Sequence, residues 1–85
     1  MKIVLNRCWG GFSLPKRYCE KYGCSAYDDG ERTNPRLIAF VEKYPDEANN
    51  LKVFEIPDKS TDYMVNDYDG CESIIYVMDG KLHRM

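Results

Sequence analysis

The sequence has few of the residues on which catalysis, metal binding or membrane insertion would depend. It contains a single histidine, His83, and neither of the spacings C-x-x-C and H-x-x-x-H that are typical of zinc sites. Its apolar runs are short, whereas a membrane helix needs about 20 apolar residues and a secretory signal about 7–15. We therefore expect no metal, no cofactor, no membrane contact and no export signal.

Cysteines are present in even number, so two disulfides are conceivable from the count alone. Without an export signal we expect a reducing compartment, the cytoplasm, in which thiols stay free. The sequence therefore predicts unbridged, metal-free cysteines, namely Cys8, Cys19, Cys24 and Cys71.

A concentrated basic surface is also lacking. The formal net charge is −2, but residues 1–27 hold five bases and one acid, while the remainder holds seven bases and thirteen acids. The five N-terminal cations are dispersed and do not form the Lys/Arg cluster that follows a phosphate backbone. Nucleic acid is thus not an expected partner.

The length and composition predict one globular domain over residues 1–85. An 85-residue chain with 44% apolar residues has enough apolar surface for one modest core and is unlike a disordered, highly charged chain. The order of elements predicts an α+β fold with a small mixed or antiparallel sheet of about five strands, two helices and a C-terminal hairpin meander.

The first half of the chain predicts one strand and both helices. An apolar, β-branched run predicts a central strand over residues 2–8, buried on both faces. A first helix is expected directly after Gly11, over about 14–22, with Ser13 as its N-cap. Asn34-Pro35 reads as the N-cap and first residue of a second helix over about 35–44.

The second half predicts strands. Residues 51–56 have strand length and end at a proline. Beyond them, Asp69-Gly70 and Asp79-Gly80 are the preferred dipeptides of two-residue hairpin turns. We therefore expect three further strands, at 63–68, 71–78 and 81–84.

Several segments resemble a family of small uncharacterised proteins of bacteriophages and prophages. The chain opens with Met-Lys-Ile-Val-Leu-Asn-Arg-Cys-Trp-Gly-Gly-Phe, and further similar segments follow in the same order at 31–35, 51–58 and 67–72. The resemblance implies a setting in an infected or lysogenic bacterium. It implies no established activity.

The strand-to-helix segment at 6–13 is a candidate ligand site. Free backbone amides after a strand and at the start of a helix attract anions, and an arginine could add two-point binding of a phosphate or carboxylate. The preferred interpretation is a tight turn in which the glycines supply an unusual backbone conformation. The candidate residues are Asn6, Arg7, Cys8, Trp9, Gly10, Gly11, Phe12 and Ser13.

Cys8 offers a weaker alternative, a small cysteine-dependent enzyme. Its neighbour Arg7 and a nearby helix N-terminus would favour the thiolate. A base is missing nearby, because His83 lies at the other end of the chain. A buried, inert cysteine is the preferred interpretation.

An acidic and aromatic segment is a candidate partner surface. Residues 62–72 contain four acids, no base and two tyrosines, and such surfaces can anchor and steer a basic protein. A solvated hairpin is the plainer interpretation. The candidate partner-binding residues are Arg32, Tyr63, Asp67, Tyr68, Asp69 and Glu72.

The sequence thus favours a non-enzymatic phage or prophage accessory protein that binds a host component and could inhibit host defence. A protein that binds or sequesters a nucleotide or another small anion is the alternative. A homo-oligomer stays open.

Overall fold

A computed structural model describes residues 1–8 and 10–85; Trp9, one of the candidate ligand-site residues, lies outside them. The described chain contains two α-helices, five strands, and 3-10 turns at Asp29–Thr33 and Pro45–Glu47. The α-helices and strands are β1 (Lys2–Asn6), α1 (Lys16–Tyr22), α2 (Pro35–Lys43), β2 (Leu51–Glu55), β3 (Asp62–Tyr68), β4 (Cys71–Met78) and β5 (Lys81–Arg84).

The β1–β2 pair forms the middle layer of the fold. Side chains alternate along a strand, so Val4 joins the core beneath the helices, together with Tyr18 and Leu37. Ile3 and Leu5 point the other way and pack with Ile74 of β4 in a second core cluster. The helices therefore cover one face of the β1–β2 pair, and the three-stranded β3–β4–β5 sheet covers the other face.

The predicted α+β fold, with two helices, five antiparallel strands and a C-terminal meander, is confirmed. The strands divide into a two-stranded and a three-stranded sheet. Both meander turns form at the predicted dipeptides, where Asp69 and Asp79 adopt positive φ values of 50° and 54°.

The first strand is not central, so that prediction is wrong. β1 pairs only with β2 among the described strands, although Ile3, Val4 and Leu5 are fully buried as expected. Its second edge is covered by side chains instead of a strand.

The predicted start of the first helix is also wrong. α1 begins at Lys16, and the preceding Pro15 has an extended conformation without a side-chain cap. Proline disfavours the helical region for the residue before it. That residue is Leu14, whose amide donates to the Ala26 carbonyl at 2.7 Å. Ser13 consequently caps no helix.

The second helix follows the sequence closely. Asn34 is its N-cap, with its side-chain oxygen accepting from the Arg36 amide at 3.0 Å, and Pro35 is the first helical residue. Among the described residues, no helix combines the length and apolarity needed to cross a bilayer.

Candidate functional site

The two predicted sites meet inside the molecule. The end of β1 and the described residues after it, 6–8 and 10–11, contact the β3–β4 hairpin, residues 67–72, and we call this contact the hairpin junction. The Asn6 side-chain amide donates to the Cys8 carbonyl at 2.7 Å and to the Gly70 carbonyl at 2.6 Å. The Gly10 amide points at the Asp69 carbonyl at 3.5 Å. One candidate site is therefore packed against the other.

Glycine makes this close approach feasible. Gly10 and Gly11 have positive φ values of 111° and 91°, and Gly70 has a φ of 86°. A Cβ atom on Gly70 would lie 2.7 Å from the Gly10 nitrogen and closer still to the Gly11 nitrogen. Backbone packs directly on backbone here, so the glycines serve the hairpin junction.

A buried ion pair completes the junction. The Arg32 guanidinium pairs with both carboxylate oxygens of Glu72, and the two side chains are only 14% and 3% exposed. Arg32 also lies 4.0 Å from the centroid of the Phe12 ring, a favourable cation–π distance. Arg32 and Glu72 are therefore internal and do not belong to an exposed partner surface.

This ion pair satisfies the free edge of β1. The Glu72 carboxylate accepts from the Asn6 amide at 2.8 Å, and Arg32 donates to the Val4 carbonyl at 3.1 Å. Just after β1, the Arg7 amide donates to the Asn50 carbonyl. Backbone groups that point to β2 alternate along the strand, so the odd-numbered residues bond to β2. The backbone groups of Val4 and Asn6 therefore point away from β2. In a parallel sheet, one residue of the neighbouring strand would donate to the Val4 carbonyl and accept from the Asn6 amide. Here Arg32 provides the donor and Glu72 the acceptor.

Arg7 also holds the hairpin. Its guanidinium donates to the Glu72 carbonyl at 2.7 Å and lies 5.5 Å from the centroid of the Phe54 ring. The same guanidinium lines a shallow groove of about 440 Å³ with Ser73 and Arg84. The arginine predicted to bind a ligand is therefore engaged by protein backbone.

The described residues of segment 6–13 lack the helix start that the anion-binding interpretation required. The helix that was to supply free amides begins only at Lys16, and carbonyl groups of the hairpin face the Asn6 side-chain amide and the Gly10 backbone amide. Ser13 accepts from the Asn49 side chain at 3.5 Å. In this geometry the turn interpretation explains the glycines better than the anion-binding one.

A second buried polar cluster lies beneath α1, and no pattern in the sequence predicts it. Glu31 accepts from the Tyr18 hydroxyl at 2.7 Å, from Arg36 at 2.7 Å and from Asn34 at 3.0 Å. Burial alone would raise the pKa of Glu31, but these donors outweigh it and leave the pKa below its ordinary value. Burial and the bond to Glu31 raise the pKa of Tyr18, so this hydroxyl is a structural donor.

The outer face of the meander carries exposed apolar side chains. Register and alternation place Ile75 and Val77 of β4 on the face opposite the buried Ile74, with Met64 and Leu82 beside them. Met64 is 61% exposed and Leu82 is 76% exposed. We call these four side chains the outer face; the period-two alternation of the strands could have revealed it.

The predicted partner-binding residues are divided by the fold. Tyr68 is exposed and shares the outward side of the sheet with Met64, whereas Tyr63 and Asp67 are on the side of Ile74. Asp67 caps the turn by accepting from the Gly70 amide at 2.7 Å, and Asp69 has positive φ within that turn. Only part of the predicted surface is therefore contiguous.

Cys8 is exposed, so the expectation that it is buried is wrong. His83 stacks on Tyr76 at 5.2 Å. In the part of the chain that the structure describes, no group of three or more His, Cys, Asp or Glu side chains could hold a metal ion. Comparisons of the chain with protein-family models, with curated proteins and with solved structures found no match.

Proposed function

We propose that the protein is a non-enzymatic phage or prophage accessory protein that binds a host protein through the outer face of the meander. The observation that carries the proposal is the exposure of Met64 and Leu82 on a sheet face that also contains the half-buried Ile75 and Val77. Contiguous exposed apolar surface of this kind is typical of contact sites. The hairpin junction supports this role because it fixes the sheet against β1.

The charge around the outer face favours a partner with basic side chains at its margin. The meander, residues 62–84, contains five acids and only two bases, Lys81 and Arg84, which both lie in β5. Glu72 is neutralised by Arg32 inside the fold. Four acids remain, namely Asp62 at the start of β3, Asp67 and Asp69 at the hairpin tip, and Asp79 in the turn before β5. Exposed acids of this kind steer a basic surface into place.

The size of the face favours a different protein over a second copy. Strands of seven, eight and four residues, at about 3.4 Å per residue and about 4.8 Å apart, present roughly 300 Å². Two copies placed face to face would bury roughly 600 Å² in total, which is below the roughly 1,200–2,000 Å² of stable specific interfaces. A concave partner that also reaches the acidic hairpin tip can bury more.

The test compares variants that differ only in where a charge is added. Tagged protein is recovered from lysogenic or phage-infected cells, and bound host proteins are identified by mass spectrometry. Met64→Asp and Leu82→Asp should each abolish the binding of a host protein that wild type retains. Tyr27→Asp is the matched control, because Tyr27 is equally exposed at 80% but lies in the loop after α1.

The purified pair should then show at least a tenfold weaker affinity for Leu82→Asp, as expected for loss of an interface anchor. It should also weaken with added salt, and Asp69→Asn should reduce the association rate. Equal loss in Tyr27→Asp, or a native mass that shows only a dimer of this chain through the outer face, would contradict the proposal.

Small-anion binding is a second candidate, favoured by one observation. The groove beside Arg7 contains a second guanidinium, that of Arg84, which donates to the Ser73 hydroxyl at 3.4 Å. Two guanidinium groups and a hydroxyl could hold a phosphate. Calorimetry with a nucleotide panel tests this: Arg84→Ala should lose most of any affinity, and raised salt should weaken it. Unchanged affinity in Arg84→Ala would rule out the groove as the anion-binding site.

A further inference from the structure

The end of α1 brings two cysteines close together. Gly23 adopts the left-handed conformation, with φ 67° and ψ 28°, and its amide donates to the Cys19 carbonyl at 2.8 Å. This reversal commonly packs the residue after the glycine against the last helical turn. Accordingly, Cys19 and Cys24 both pack against the core beneath the helices, and the neighbouring Cys24 thiol adds to burial in raising the pKa of Cys19.

We propose that Cys19 and Cys24 are a dithiol site that closes to a disulfide when it meets a low-molecular-weight disulfide such as oxidised glutathione. The site is separate from the outer face. Closure makes a ring of residues 19–24 around the flexible Gly23 turn. Both cysteines are partly exposed, so a small disulfide can reach them, and the left-handed turn at Gly23 brings residues 19 and 24 close together, as a bridge requires.

The chemistry proceeds by two exchange steps. One cysteine thiolate attacks a glutathione sulfur, forming a mixed disulfide and expelling one glutathione thiolate. The second cysteine then attacks the protein sulfur of that mixed disulfide and expels the second glutathione. Two electrons pass from the cysteine pair to glutathione, and the two thiol protons end on the two reduced glutathione molecules.

The order of attack follows from the surroundings of the two thiols. Burial and the hydrogen bond with Cys24 raise the pKa of Cys19, which reduces its thiolate fraction. We therefore assign the first attack to Cys24 and the resolving attack to Cys19. The resolving step is favoured by proximity, since a tethered thiol acts at a high effective concentration.

Peptide mapping can test the pair directly, because Lys21 lies between the two cysteines. The native full chain is equilibrated with oxidised and reduced glutathione, blocked with an alkylating reagent and digested with trypsin. Wild type, and the variant Cys8→Ser/Cys71→Ser, should give peptide 18–21 linked to peptide 22–32 with the loss of two hydrogens. The linked species should exceed glutathione adducts at these sites by about tenfold or more.

Cys19→Ser is the matched control and should leave Cys24 as a glutathione adduct that does not resolve. Dithiothreitol should restore both thiols in wild type. Accumulation of adducts on Cys19 or Cys24 without the linked peptides would overturn the proposal, as would two thiols that stay reduced in the native protein.

Discussion

The ion pair between Arg32 and Glu72 allows the hairpin junction to be tested by a double-mutant cycle. Glu72→Ala leaves the Arg32 guanidinium buried without its counter-ion and removes the acceptor of the Asn6 amide. Breaking a buried pair by removing one partner costs about 3–5 kcal/mol. A chain of this length is stabilised by roughly 4–13 kcal/mol, so the loss is a large share of the total.

The assay is urea unfolding followed by circular dichroism, supported by thermal melts. Glu72→Ala should lower Tm by at least about 12 °C, since each kcal/mol corresponds to about 4–8 °C in a small domain. Arg32→Met should be similarly destabilised. The double variant should lose less unfolding free energy than the sum of the two single losses, by up to about 3 kcal/mol, because no unpaired charge is left.

The exposed pair formed by Arg17 and Glu47 provides the control. Its atoms are equally close, at 2.7 Å, but its side chains are 60% and 46% exposed. Arg17→Met and Glu47→Ala should each cost less than about 1 kcal/mol, because solvent screens the pair. If Glu72→Ala were as mild as Glu47→Ala, or if the losses in the cycle were strictly additive, the buried pair would not hold the hairpin.

Two further predictions concern the glycine contact and the second polar cluster. Gly70→Ala should destabilise the protein by about 2–5 kcal/mol in urea unfolding, because its positive φ is strained and its Cβ atom would clash with Gly10. Gly23→Ala is the control: it also has positive φ but lies in open space, so it should cost only about 1–2 kcal/mol. Equal losses would refute the close-approach argument. Because the pKa of Glu31 is lowered in the fold, Glu31 stabilises the protein above its unfolded pKa of about 4.3, and that stability is lost as pH falls through the folded pKa. Tyr18→Phe removes one donor to Glu31 and should move the acid unfolding midpoint, followed by circular dichroism, to higher pH; an unchanged midpoint would argue against the Tyr18 contribution.

The sequence by itself determined the local elements of this protein. Asn34 and Pro35 start α2 because a side-chain cap and a fixed φ act within one helical turn. The Asp-Gly turns fix the meander because a two-residue loop sets the register of both strands that it joins. Leu14 precedes Pro15, and proline disfavours the helical region for the residue before it, so α1 begins later than the apolar spacing predicts.

Only the tertiary structure decided what the candidate residues do. The contacts of Asn6 with Gly70 and Glu72 span more than 60 residues, and no local pattern encodes which distant acceptor will meet a given donor. Glu72 looked like part of a solvated acidic segment, yet Arg32 pairs with it inside the fold because the free edge of β1 needs a donor and an acceptor. The glycines were correctly expected to have positive φ, but their use as the surface on which Gly70 packs depends on how the two sheets come together.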